Sequence, residues 1–234
     1  MQYLVLYLKG PLQSWGADSR FDLRETMPYP TKSGIFGMLL AASGDSGPQR
    51  ELLARMANAS LSVFSFRQEN SAPERLRDFH MVGNGFKEND KWQSLMIPRK
   101  SDGSKAVGGG AKLTYRYYLQ DKTFAVLLEF PDDLADKFAA ALKDPVYDLY
   151  LGRKCCAPTE MIFQGNFASE NEAVQKIRSL AERDELTPEL RIREVPRQEP
   201  DARLLNDVPV AFGQHKVYRD RWVLEEPFTA WDPV

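Results

Sequence analysis

Cysteine and histidine are scarce in this chain of 234 residues, and their scarcity removes several chemistries at once. The two cysteines, Cys155 and Cys156, are adjacent and have no third thiol to pair with. Neither a disulfide framework nor a spaced set of metal thiolates is therefore available. With only His80 and His215 besides, no structural metal and no cofactor are expected. Long apolar runs are missing too: nothing approaches the roughly 20 residues that cross a bilayer. The opening run, Tyr3 to Leu8, lacks a basic flank and is too short for a signal peptide, so a cytoplasmic protein without a membrane partner is expected. Net charge is the last absence. At −2, the chain has no global field with which to hold nucleic acid, so any such contact has to be local.

What is present is enough apolar content for a proper core and a regular alternation of elements. Tyr3 to Leu8 is continuously apolar and reads as a central strand covered on both faces. It ends at Gly10 and Pro11, in a loop that sets Trp15 beside the amide of Gln13; Trp15 either stacks on a base or plugs the edge of the core. A polar crossing with Arg20 and Arg24 follows. The stretch Met27 to Ser43 then organises the rest. Pro28 and Pro30 hold the approach extended, Thr31 or Ser33 caps a helix, and Ile35, Phe36, Met38, Leu39 and Leu40 demand one. Gly34 and Gly37 indicate a backbone or ligand closer than a Cβ would allow. Exposed amides, a hydroxyl and Lys32 make a phosphate seat, but the same residues also suit a tightly packed core helix.

Gly44 to Gly47 breaks this helix, Pro48 opens another, and Leu61 to Phe66 is a strand. Residues 75 to 82 have strand character. From Gly83 to Lys112 the chain is poor in apolar residues and rich in glycine, including Gly108 to Gly110, which predicts a protruding, mobile arm. Over residues 67 to 122, Lys and Arg number 11 and Asp and Glu 7, a surplus of +4 in an otherwise acidic chain. Basic residues beside Trp92, Tyr115, Tyr117 and Tyr118 suit a nucleic-acid contact, although a solvated loop has the same composition. Leu113 to Leu119 alternates as the arm's return strand.

Thr123 to Phe130 is a second fully apolar strand, Asp132 caps a helix carrying Leu134, Phe138 and Leu142, and Thr159 to Phe163 supplies another strand. Without the arm, the order is strand, helix, strand, strand, helix, strand. That is the ferredoxin-like order also used by RNA-recognition modules. Before its last strand, the turn Tyr150, Gly152, Arg153, Lys154 offers either a phosphate site or two solvated charges. The tail adds a helix from Glu172 to Arg183 and strands at Leu190 to Val195 and His215 to Leu224. The expected architecture is thus α+β. A ferredoxin-like, RRM-like body spans 1–67 and 122–165, an inserted basic thumb 68–121, and a C-terminal α/β extension 166–234.

Five clusters carry a resemblance: Gly10-Pro11-x-Gln13-x-Trp15-Gly16, Pro30-Thr31-x-Ser33-Gly34-x-x-Gly37, Arg77-Asp78-x-His80, Tyr115-Arg116-x-Tyr118-Leu119 and Tyr150-Leu151-Gly152-Arg153-Lys154-x-Cys156. Together they resemble the CRISPR-associated Cas five family, of the RAMP type, as found in subtype I-E Cascade surveillance complexes. The likeness runs from residue 1 to about residue 165 and resumes weakly in the last strand, while Glu170 to Gly213 matches no motif. It implies a non-catalytic subunit in antiviral defence that holds the 5′ handle of the crRNA and caps a filament of CasC-like backbone subunits. A CasA-like large subunit would lie nearby, and target DNA would be met only through the guide. Carried over by position, Gln13, Trp15, Thr31, Lys32, Ser33, Gly34, Gly152, Arg153 and Lys154 would surround the handle, Arg116 at the base of the arm would lie beside the first guide nucleotides, and Arg24, Arg77, His80 and Tyr150 are further RNA-binding candidates. Relatives in subtype I-C cut the crRNA precursor with a tyrosine, a lysine and a histidine, which makes a metal-free endoribonuclease using His80 the alternative. A purely structural scaffold without RNA contact is the other.

Overall fold

The computed structural model describes residues 1–16, 22–68, 75–82, 87, 89–97, 99–105, 112–229 and 231. Arg20 and the glycine run 108–110 lie outside them, as do most of residues 83–88. In chain order the elements are β1 (Gln2–Lys9), β2 (Leu12–Gln13), β3 (Leu23–Arg24), α1 (Lys32–Ser43), α2 (Arg50–Met56), β4 (Leu61–Arg67), β5 (Arg75–Val82), α3 (Lys91–Met96), β6 (Lys112–Gln120), β7 (Thr123–Phe130), α4 (Asp132–Lys143), β8 (Phe163–Phe167), α5 (Glu170–Arg183), β9 (Thr187–Glu194), β10 (Arg203–Ala211) and β11 (Val217–Pro227). No helix among the described residues is long and apolar enough to cross a membrane.

Seven strands form one antiparallel sheet in the order β10-β11-β9-β4-β7-β1-β8. β1 and β7 are interior strands covered on both faces, which is why both read as unbroken apolar runs. On one face Leu4, Leu6, Leu8, Leu61, Val63, Phe124, Val126 and Leu128 pack beneath α1 and α4, with Phe36, Phe130 and Phe138 in contact at ring centroids of 5.5 to 6.2 Å. On the other, Val5, Tyr7, Phe64, Phe66 and Leu127 meet Ala173, Val174, Ile177 and Leu180 of α5. Two helical layers thus cover a single sheet.

A second, four-stranded sheet stands on β6, with β5 along one side and the short β2 and β3 along the other. Its two long strands, β5 and β6, come from the segment between β4 and β7 and match the strands read there at 75–82 and 113–119. Charge and glycine content weighed against a core there, but a two-stranded ladder anchored on β2 and β3 does not need one of its own.

Several boundaries differ from the sequence reading. The strand expected at 159–163 pairs with β1 only from Phe163 onward. Thr159 and Ile162 do bond to Lys9 and Tyr7, at 2.8 Å each, but a register shift at Val5/Leu6 breaks the ladder there. Asp132 is not a cap: Pro131 occupies that position and Asp132 is the first helical residue, where a carboxylate suits the helix dipole. Pro48 likewise precedes α2 by two residues. β10 was not foreseen at all. Pro209 argues against a strand in sequence, yet β10 is the sheet's edge, where a missing amide leaves no ladder bond unmade.

Candidate nucleic-acid interface

The start of α1 has the extended approach and threonine cap its sequence predicts. Thr31 has φ −82° and ψ 151°, and its Oγ1 accepts from the amide of Gly34 at 3.1 Å. The close neighbour of Gly34 is a side chain, not a ligand. A Cβ there would lie 2.9 Å from Cε3 of Trp15, so the indole packs flat on the glycine. Trp15 is 1% exposed and its Nε1 donates to Gln13 Oε1 at 3.1 Å, while Gln13 Nε2 donates to the carbonyls of Leu8 and Lys122. Between stacking on a base and plugging the core, the structure places Trp15 in the core.

Lys32 is also withdrawn. Fully buried, it sends Nζ to Glu194 Oε1 at 2.7 Å and to the carbonyls of Ala59 and Ala57 at 2.6 and 3.3 Å. Its backbone amide donates to Asp207 Oδ2 at 2.7 Å, and Asp207 in turn receives Nε and Nη2 of Arg221 at 2.6 and 2.8 Å. Burial pulls the Lys32 ammonium below its ordinary pKa, and the Glu194 carboxylate opposes that shift. Burial also works against the charge on Arg221, but Asp207 and Glu194 outweigh it and the group is raised. The phosphate seat expected at Thr31 to Gly34 is therefore filled by the protein's own Asp207, and Lys32 serves a buried ion network. One apolar-looking helix start gave no sign of a carboxylate that arrives from residue 207.

Beside this filled helix end lies an open cavity of about 310 Å³. Trp15, Arg24, Thr31, Ser33, Gly34, Gly152 and Arg153 line it, all anticipated from sequence, together with Ser14, Gly16, Phe212, Lys216 and Tyr218. Arg24, Arg153 and Lys216 are its three cations, and no carboxylate is present among its described lining residues. Gly152 makes the wall possible. At φ +92° it brings its backbone so close to Ser14 that a Cβ would sit 1.8 Å from that residue's carbonyl oxygen. Arg153 is committed inward: its guanidinium donates to the carbonyls of Tyr117 and Arg24 at 3.1 and 2.8 Å and lies 4.8 Å from the Tyr118 ring. It clamps the turn to β6 and β3, whereas Lys154 next to it is exposed.

Tyr150 lines a neighbouring cavity of about 250 Å³ that shares Ser33, Gly34 and Gly152 with the first. Arg116 pairs with Arg24 across β3 and β6, which places it at the base of the second sheet, and its Nε donates to Thr114 Oγ1 at 3.3 Å. Arg77 and His80 stand farther along β5 and line none of these cavities. Arg77 lies over the Tyr115 ring at 5.4 Å. His80 Nδ1 is 3.1 Å from Asp78 Oδ2 but misaligned for a hydrogen bond. Sequence reasoning missed Ser14 and Gly16, which flank Trp15, and also Phe212, Lys216 and Tyr218, because nothing in the order of the chain shows the β10–β11 hairpin folding back onto α1.

Comparison with known proteins bears on this geometry. The family model described as CRISPR-associated protein (Cas_Cas5) matches residues 3–224. The chain belongs to the Cas5 family. Among curated relatives, the CRISPR system Cascade subunit CasD of Escherichia coli (strain K12) is 31% identical over 174 residues, 70% of either chain. A chain of a CRISPR RNA-guided surveillance complex superposes with a TM-score of 0.71 at 28% identity, over 97% of this chain and 90% of that one. A crystal structure of a Cas protein gives 0.61 at 27% identity, covering 97% and 95%. The Cas5 match continues past residue 165 and takes in the C-terminal strands, so the part of the chain that resembled nothing by motif lies within the family model.

Proposed function

We propose that this Cas5 chain is the subunit of a Cascade surveillance complex that holds the 5′ handle of the crRNA, capping the backbone filament without cutting the RNA. The cavity between α1, the Gly152 turn and Lys216, with three cations and no carboxylate among its described lining residues, carries the reading. A hooked single strand presents closely spaced phosphates, which suit a few aimed cations better than a broad basic face. The order β4-β7-β1-β8 with α1 and α4 on one face supports reading 1–67 and 122–165 as a ferredoxin-like body. On this reading the β5–β6 segment is the thumb, 68–121, and residues 166–234 are an extension that supplies one wall of the RNA site. Backbone and large subunits of the CasC and CasA kind are the partners, in the cytoplasm.

The side chains to test are those not already spent inside the protein, so Arg24 and Lys216 replace Lys32 and Arg153 as the primary contacts. The double variant Arg24→Glu, Lys216→Glu is expected to reduce crRNA in the affinity-purified complex about tenfold or more, since each reversal replaces an attraction to phosphate with a repulsion. RNA yield per complex, measured on a denaturing gel, checks it. An unchanged yield would remove the handle from this cavity.

The face on which His80 stands speaks against cutting. Its cross-strand neighbours there are Thr114 and, one pair along, Arg116 opposite Asp78, while Tyr115 and Tyr117 point to the other face. Tyr118 shares the side of His80 but is buried under Arg153, with Cys155 Sγ 3.5 Å from its hydroxyl. Purified chain incubated with repeat RNA without metal is expected to leave it whole. Product that disappears on His80→Ala would establish the endoribonuclease instead.

A further inference from the structure

A larger cavity, about 480 Å³, adjoins the cation-lined one on the side of the C-terminal hairpin. The two share Gly16, Thr31, Ser33 and Tyr218, so the Tyr218 ring borders both. Met27, Leu204 and Leu205 give the larger one its apolar wall, and Asn206 and Asp207 add polar atoms, the Asp207 carboxylate being already bonded to Arg221 and to the Lys32 amide. Tyr218 is half-buried and its hydroxyl has no hydrogen-bond partner among the described residues. The hairpin that carries it is held rigidly. Asp207 of β10 is bonded to the α1 amide and to Arg221, Arg221 reaches Glu194 of β9 at 3.0 Å, and Tyr29 donates to Glu225 of β11 at 2.7 Å.

A cavity with an apolar wall, an amide edge and a bordering aromatic ring, next to a cluster of cations, suits a nucleobase beside its own phosphate. We infer that the cavity between α1 and the β10–β11 hairpin takes one unstacked base of the bound RNA strand, with Tyr218 as its stacking wall. The inference rests on the RNA-holding function proposed above and adds a subsite to it. Lys216, two residues before Tyr218 on the same hairpin, meets the phosphate while the ring meets the base. Burial raises the Tyr218 hydroxyl above its ordinary pKa, so the ring enters the cavity neutral.

The test uses the whole complex, purified with its crRNA, in ultraviolet crosslinking followed by mass spectrometry of tryptic peptides. A nucleotide adduct on the peptide from Val217 to Arg219 is expected. In the Tyr218→Ala complex, methylation of one handle base by dimethyl sulfate, normalised to the RNA that co-purifies, is expected to rise about tenfold, as befits the loss of one aromatic stack. Tyr218→Phe should keep that base protected, because the ring and not the hydroxyl is the wall. RNA adducts at Arg24 or Lys154 with none on residues 217–219, or a Tyr218→Ala methylation profile identical to the parent's, would overturn the subsite alone. A complex that carries no RNA would overturn the handle reading and the subsite together.

Discussion

Asp207→Ala is expected to lower the unfolding free energy by about 3–5 kcal/mol, because it breaks a buried ion network by removing one member. Asp207 is 8% exposed and holds both Nε and Nη2 of Arg221, itself 7% exposed, and the backbone amide of Lys32. Without it, one carboxylate, Glu194, would face the Lys32 ammonium and the Arg221 guanidinium inside the protein. The α1 amide would also lose its acceptor. For a chain of this size the corresponding fall in melting temperature is on the order of 10 °C, readable by calorimetry or by urea unfolding. The double variant Asp207→Ala, Arg221→Met should recover part of the loss, since an apolar replacement leaves no guanidinium unpaired. A single-variant loss below about 1 kcal/mol would mean that water reaches the network and that it does not weld the hairpin to α1.

Gly152→Ala is the second large effect. The left-handed φ alone costs roughly 1–2 kcal/mol for a residue with a Cβ. The contact of 1.8 Å with the Ser14 carbonyl is a clash with backbone, which no rotamer change relieves. Together these should destabilise by about 3 kcal/mol or more, or force the 150–156 turn away from β2 and open the cation-lined cavity. Either way crRNA yield falls. Gly37→Ala provides the comparison, because its Cβ would meet only Phe212 Cζ at an ordinary 4.0 Å within α1. There the change should be neutral or stabilising by up to about 1 kcal/mol, from helix propensity. If both variants unfold alike, the positive φ and the Ser14 approach are not what Gly152 is for.

The apolar periodicity of the chain determined most of its core. Tyr3 to Leu8 and Thr123 to Phe130 could only be central strands, because two covered faces leave no place for a polar residue. The run after Thr31 could only be a helix, because the cap and the apolar spacing agree. These are local facts, and local sequence carries them. The lining of the cation-lined cavity was partly legible for the same reason, through glycines and turns such as Gly34 and Gly152, whose backbone demands show in the sequence.

What a side chain does with its charge was decided elsewhere. Lys32 and Arg153 read as phosphate ligands, and the fold turned both inward, one to Glu194 and the other to two backbone carbonyls. A cation is accessible only if no acceptor from a distant segment reaches it first, and residue 194 or 207 is distant from residue 32 in every sense except the folded one. Lys216 and Tyr218 entered the site by the same route, carried by an edge hairpin that joins the sheet through β9, which pairs with β4. Spacing and composition fix what each residue can do, but long-range pairing decides which of them still faces solvent.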